Sequence, residues 1–245
     1  MRIYAIGDIH GQRALLSEAH RRIVADGGCD ALVVHVGDLI DKGPDSRGVI
    51  DDLMRGQAQG RNWAVLKGNH DRMLCQFMRD PHHVDSGVKR PLSYTRHPDI
   101  GAAATLASYG VDSSPDADPD TVHAKAIRAI PPAHLRWLAG LPCWRLTPLA
   151  LFVHAGVRPG IDLLDQTEED LLWLRKGFVD CPWDHGILVV HGHTPVRQPT
   201  HLGWRLAIDT GAAYGGPLTA VRLDRDGAWL LTEDGAQPLP PGAGA

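Results

Sequence analysis

Five short apolar runs in this 245-residue chain end alike, with a glycine or alanine close by and side chains that can ligate a metal within a few positions. They are G-D-I-H-G at 7–11, G-D-L-I-D-K-G at 37–43, G-N-H-D at 68–71, H-A-G at 154–156 and H-G-H-T at 191–194. Asp8 and His10 stand two residues apart, so on extended backbone both project to one side and can chelate a single ion. Carboxylates, imidazoles and one carboxamide oxygen, without thiolate, suit manganese, iron or zinc. Any one motif alone reads as a turn or a satisfied core histidine; five together predict a metal centre. The glycines let backbone approach an ion or its bound substrate without a Cβ in the way.

Donors scattered over nearly 190 positions meet only if the fold delivers them to one place, and the carboxyl ends of strands in an open α/β sheet do so. Apolar β-rich runs at 3–6, 31–36 and 63–66 alternate with helical spacing at 12–26 and 47–54, which predicts a β-α-β-α-β unit with a mostly parallel sheet. From 72 to 144 no strand pattern stands out; helical patches at 99–109, 120–130 and 133–139 read as a helical insertion or cap within a single domain spanning 1–234. Strands resume at 150–153 and 187–190 with a helix at 168–176 between them. Runs at 204–209, 218–223 and 228–232 predict an antiparallel meander, and 235–245, rich in Pro, Gly and Ala, a frayed tail. No internal repeat is visible.

Twenty-five Lys and Arg against 29 Asp and Glu give a net charge of −4, which argues against a nucleic-acid polymer as partner. No apolar run approaches the ~20 residues of a membrane span, and the first residues read as a strand, so a cytoplasmic protein without membrane contact is expected. Cys29, Cys75, Cys143 and Cys181 are widely spaced without a C-x-x-C pair and read as buried reduced thiols. Among the 14 histidines, His35 reads as a packed core imidazole and His191 as either packing or support beneath the metals. His82, His83, His97 and His123 read as solvated or as shaping a substrate rim. G-A-A-Y-G-G at 211–216 lacks the Lys-Ser/Thr ending of a phosphate loop and reads as a turn between meander strands, from which Tyr214 can face the cleft.

In type and order the five motifs resemble those of the calcineurin-like metallophosphoesterase superfamily, in particular its phosphoprotein phosphatase branch. Bacterial serine/threonine protein phosphatases and symmetrical diadenosine tetraphosphatases are similar to that branch. The resemblance runs from Gly7 to about Thr194. It implies a four-layer α/β/β/α sandwich and two divalent ions about 3.5 to 4 Å apart, manganese foremost, with iron or zinc as alternatives. Carried over by motif, Asp8 and His10 hold the first ion, Asp38 bridges, and Asn69, His154 and His193 hold the second. The implied reaction is direct attack on phosphorus by a hydroxide shared between the ions. His70 matches the general acid that protonates the departing alkoxide, and Asp41 the carboxylate that orients it. Alongside Asn69, the family's phosphate-contacting arginines fall at Lys42, Lys67 and Arg175; lysine is a point charge, so two planar clamps are missing.

The resemblance thus implies a dimetal phosphomonoesterase acting on phosphoserine, phosphothreonine or phosphotyrosine in proteins or peptides, or on a phosphorylated small molecule. G-P-D-S at 43–46 and N-H-D in place of N-H-E look more like the tetraphosphatase pattern, which makes a symmetrical dinucleoside tetraphosphate hydrolase the alternative. Asp41 points the other way, because a carboxylate-supported acid serves a poor leaving group. A protein-binding scaffold that had lost its chemistry would leave gaps in the donor set, and there are none.

Overall fold

The computed structural model describes residues 1–114, 116–181 and 185–242. Strand alternation builds its layers: in β1 (Ile3–Ile6), Ile3 and Ala5 face one side while Tyr4 and Ile6 face the other. β2 (Leu32–His35) and β3 (Trp63–Val65) run parallel to β1 in register. A second sheet holds β4 (Trp144–Leu146), β5 (Ala150–Val153), β6 (Leu188–His191), β7 (Thr200–His201) and β8 (Arg205–Ala207) in the order β4-β5-β6-β8-β7. β9 (Ala220–Asp224), β10 (Gly227–Thr232) and β11 (Gly235–Pro238) return to the first sheet, whose order is β11-β10-β9-β1-β2-β3.

Ala5, Val34, Phe152, Val190, Leu206 and Val221 fill the space between the sheets. The outer face of the first sheet carries α1 (Arg13–Ala25), α2 (Ser46–Ala58), α3 (Asn69–Phe77), α4 (Ala102–Ser108), α5 (Pro119–Ala129) and α6 (Pro132–Ala139). The outer face of the second sheet packs on α7 (Glu168–Trp173) through Leu151, Val153 and Leu171. Helices, sheet, sheet and helix give the four-layer α/β/β/α arrangement. Asp45 caps α2 by accepting the Gly48 amide at 2.8 Å, as Pro44-Asp45-Ser46 foreshadows.

Several expectations are corrected. α3 begins inside the G-N-H-D motif and has no counterpart among the predicted helices, because its polar first turn hides the apolar set Met73, Leu74 and Phe77. The run at 204–209 does not join the meander: β8 pairs parallel with β6 in the second sheet, and the antiparallel meander is β9-β10-β11. Periodicity reports which face of a strand is buried, not which sheet it enters. Residues 235–238 are paired with β10 rather than frayed, and the Leu239 amide donates to the Ala228 carbonyl at 2.9 Å; 243–245 lie outside the described residues. All four cysteines are free, but none is fully buried, and Cys29 is exposed. No described helix is long and apolar enough to cross a membrane.

Candidate metal centre

Non-glycine residues with positive φ mark the site. Among the described residues they are His10 (44°), Asp38 (49°), Asp41 (71°), Lys42 (66°) and His193 (63°), all five singled out by the motifs. Left-handed backbone costs an L-residue about 1–3 kcal/mol, and it clusters where side chains must be aimed. Each of the five follows a strand of one sheet or the other, and the two sheets bring these strand ends together around one cavity of about 650 Å³. Asp8, His10, Asp38, Asn69 and His193 line it, as do His70, Lys42 and Arg175. His154, fully buried, stands just beneath it.

Two groups of donor atoms lie within reach of a common ion: His10, Asp38 and His70, and Asp38, His154 and His193. Asp38 belongs to both. Its Oδ2 is 3.4 Å from His10 Nε2 and 3.9 Å from His70 Nε2, and its Oδ1 is 3.3 Å from His154 Nε2. Asn69 Oδ1 is 2.9 Å from both His154 Nε2 and His193 Nδ1. Asp8 stands beside these groups, its carboxylate accepting the His193 amide at 3.0 and 3.3 Å.

The electrostatics call for cations. His10 Nδ1 donates to the Ile40 carbonyl at 2.8 Å and His154 Nδ1 to the Val36 carbonyl at 3.0 Å, so each Nε2 turns a lone pair to the site. Burial lowers the pKa of His10, His154 and His193, leaving them neutral at pH 7. The His154 lone pair therefore meets only oxygens, Asn69 Oδ1 and Asp38 Oδ1, an arrangement that a positive ion satisfies. His193 Nε2 is buried without a hydrogen-bond partner. Burial, then the charges of Asp209 and Asp38, raises Asp8 well above the usual carboxylate range. Although burial alone would raise Asp38, positive charge on the surrounding imidazoles of His154, His70, His10 and His193 pulls it well below that range, and where those imidazoles are neutral a bound cation would supply the same pull. These residues fit divalent ions with nitrogen and oxygen ligands.

His70 heads the second arrangement. Its Nδ1 donates to Asp41 Oδ2 at 2.8 Å, and Asp41 Oδ1 accepts from Tyr94 at 2.5 Å and from Thr105 at 2.7 Å. Asp41 is fully buried, and burial raises the Tyr94 hydroxyl, keeping it protonated to donate. Asp71, also buried, accepts the Leu39 and Gly68 amides at 3.1 and 2.8 Å and ties the second and third motifs together. Gly68 cannot carry a side chain, since a Cβ would lie 2.2 Å from both Asp38 N and Asp38 Oδ1. Gly68→Ala is expected to weaken manganese binding by about 10- to 100-fold with helix content retained, measured by calorimetric titration and circular dichroism.

The cations divide. Lys42 Nζ lies 3.3 Å from His10 Nε2 and 4.9 Å from the ring centroid of Tyr214, which is exposed at the cavity edge. Arg175 falls beyond the end of α7 and donates to the His193 carbonyl at 3.1 Å. Lys67 does not line this cavity, and its Nζ pairs with Glu168 at 3.2 Å. His191 faces away, its Nε2 accepting from Arg205 at 3.2 Å, and His35 pairs with His20 at 2.9 Å on the helix-covered side. His97 lines the cavity and His82 is solvent-exposed, whereas His123 is half-buried and donates to the Met78 carbonyl at 3.2 Å.

Sequence reasoning passed over Asp209. It is 5% exposed, lines the cavity and follows β8 in I-D-T-G, the same strand-end signature as the other motifs. The segment 211–216 links the two sheets instead of two meander strands, which is why Tyr214 reaches the cavity.

Residues 1–227 match the family model described as calcineurin-like phosphoesterase. The chain is 28% identical over 247 residues to a bis(5'-nucleosyl)-tetraphosphatase PrpE [asymmetrical] of Geobacillus thermodenitrificans, covering 91% of this chain and 90% of that one. It is 28% identical over 230 residues to serine/threonine-protein phosphatase 1 of Salmonella typhimurium, covering 90% and 91%. A crystal structure provisionally described as a diadenosine tetraphosphatase superposes with a TM-score of 0.63 at 22% identity over 95% of this chain and 94% of that one, a likeness of fold. A match of this length, to a chain whose metal-ligating motifs meet in one cavity, establishes that the protein belongs to the calcineurin-like phosphoesterase family and is a phosphate-ester hydrolase.

Proposed function

We propose that the protein is a dimetal phosphomonoesterase that protonates its leaving group, with phosphoserine and phosphothreonine in proteins as the substrate class. Asp8, His10 and Asp38 hold one ion, and Asp38, Asn69, His154 and His193 the other. Divalent ions bound there, manganese first among them, lower the pKa of water and neutralise phosphoryl oxygens. Lys42 and Arg175 add positive charge beside the ions, orienting the ester without a planar fork at Lys42. His70 presents Nε2 to the cavity and delivers a proton to the departing alkoxide oxygen, while Asp41 fixes the orientation of the ring.

The single observation that carries this reading is the 2.8 Å His70–Asp41 pair, itself held by Tyr94 and Thr105. Such a supported acid matters most when the leaving group is a poor one, as in an alkyl phosphate. A second reading, hydrolysis of dinucleoside tetraphosphates, draws on the tetraphosphatase relative and on the lysines and arginines lining the cavity. Chelation is expected to abolish hydrolysis and manganese to restore it; activity indifferent to chelation would refute the dimetal reading. With manganese present, kcat/KM for phosphoserine, phosphothreonine and phosphotyrosine peptides is compared with that for diadenosine tetraphosphate. A hundredfold preference, about 2.7 kcal/mol of transition-state binding, decides the class.

A further inference from the structure

Two residues after His70, Arg72 leaves α3 toward a segment that the metal centre does not account for. Its guanidinium donates to the Asp85 carboxylate at 3.0 and 2.6 Å and to Glu169 on α7 at 2.8 Å. The Arg72 and Asp85 side chains are 11% and 3% exposed, so this is a shielded fork rather than a surface pair. Asp85 also accepts the Gly87 amide at 3.2 Å, and a Cβ on Gly87 would lie 2.0 Å from the Trp173 indole, so the backbone there rests on that ring. At the other end of the segment, Tyr94 donates to Asp41, the partner of His70. Segment 85–94 is thus tied at both ends to residues around His70. Between the ties, Lys89 and Arg90 are exposed and line the cavity, and no described carboxylate forms an ion pair with either.

We propose that Arg72 is a positioning residue for substrate recognition: its fork fixes segment 85–94 as a strap, from which Lys89 and Arg90 grip a second phosphate group of the substrate. A cavity of about 650 Å³ has room for more than one phosphoryl group. Arginine supplies the planar fork that Lys42 lacks, and an adjacent lysine adds a point charge, the pair of donors a phosphate oxygen cluster takes. The inference rests on the dimetal phosphoesterase reading in its second form, a substrate with more than one phosphate such as a dinucleoside tetraphosphate, and adds to it where the far end of that substrate is held.

Competitive inhibition of p-nitrophenyl phosphate hydrolysis, with manganese in excess, tests it. The inhibition constant of diadenosine tetraphosphate reports its affinity whether or not it is turned over; orthophosphate serves as the single-phosphate control. In Lys89→Ala/Arg90→Ala and in Arg72→Gln, the constant for diadenosine tetraphosphate is expected to rise about tenfold while that for orthophosphate moves less than twofold. Arg72→Lys, which keeps one charged link, is expected to recover most of the affinity. Equal shifts for both inhibitors, no shift in Lys89→Ala/Arg90→Ala, or a tenfold loss confined to an acid-flanked phosphopeptide would each overturn the second-phosphate subsite. Absence of p-nitrophenyl phosphate hydrolysis in the unsubstituted protein would instead sink the dimetal reading, and calorimetric titration then makes the same comparison without turnover.

Discussion

Replacing His70 with asparagine is expected to reduce kcat on a phosphoserine peptide by roughly 10²- to 10⁴-fold, the usual contribution of a positioned general acid. An alkoxide departs as a strong base, so without a donor in reach it must take its proton from water. On p-nitrophenyl phosphate, whose phenolate departs readily, the same substitution is expected to lose far less. The differential separates proton donation from a structural role, because damage to the site would depress both substrates alike. The donor is well placed: His70 is 8% exposed, its Nδ1 is committed to Asp41 at 2.8 Å and its Nε2 is left to the cavity. Equal losses on the two substrates would reject the assignment.

The second large effect is expected from Asp38→Asn. Asp38 alone belongs to both groups of converging donors, facing His10 and His70 through Oδ2 and His154 through Oδ1. Asparagine keeps the shape but removes the charge and replaces one oxygen lone-pair set with an N–H donor pair. Elemental analysis is expected to fall from two manganese ions per chain to none; retained stoichiometry would show that Asp38 does not bridge. Ions present at a hundred times their dissociation constants stabilise by about 2.7 kcal/mol each. In a chain of this length two such ions correspond to roughly 10 to 20 °C of melting temperature. Manganese is therefore expected to raise the melting point of the unsubstituted protein by that order and to leave Asp38→Asn nearly unmoved.

Much of the site is legible before any fold is known, because each donor sits directly after an apolar run whose strand character is local. Asp8, Asp38, Asn69, His154 and His193 all obey that rule, and Asp209, also after a strand, obeys it too although the five motifs do not include it. The supports of Asp41 follow no local rule. Tyr94 and Thr105 stand 53 and 64 residues away in a region without motifs, and neither carries any mark of its target until the helices pack.

Residue types and their spacing determined the chemistry: oxygen and nitrogen donors in a fixed order, glycines where backbones must close in, and an imidazole beside a carboxamide. Only the tertiary structure decided direction. It sent Lys67 to Glu168 instead of the cavity, moved β8 into the other sheet, and seated Asp85 on Arg72. The physical reason is range. Strand and turn preferences act over a few bonds, whereas the partner a charged side chain finds depends on which distant surface packing brings within a few ångströms.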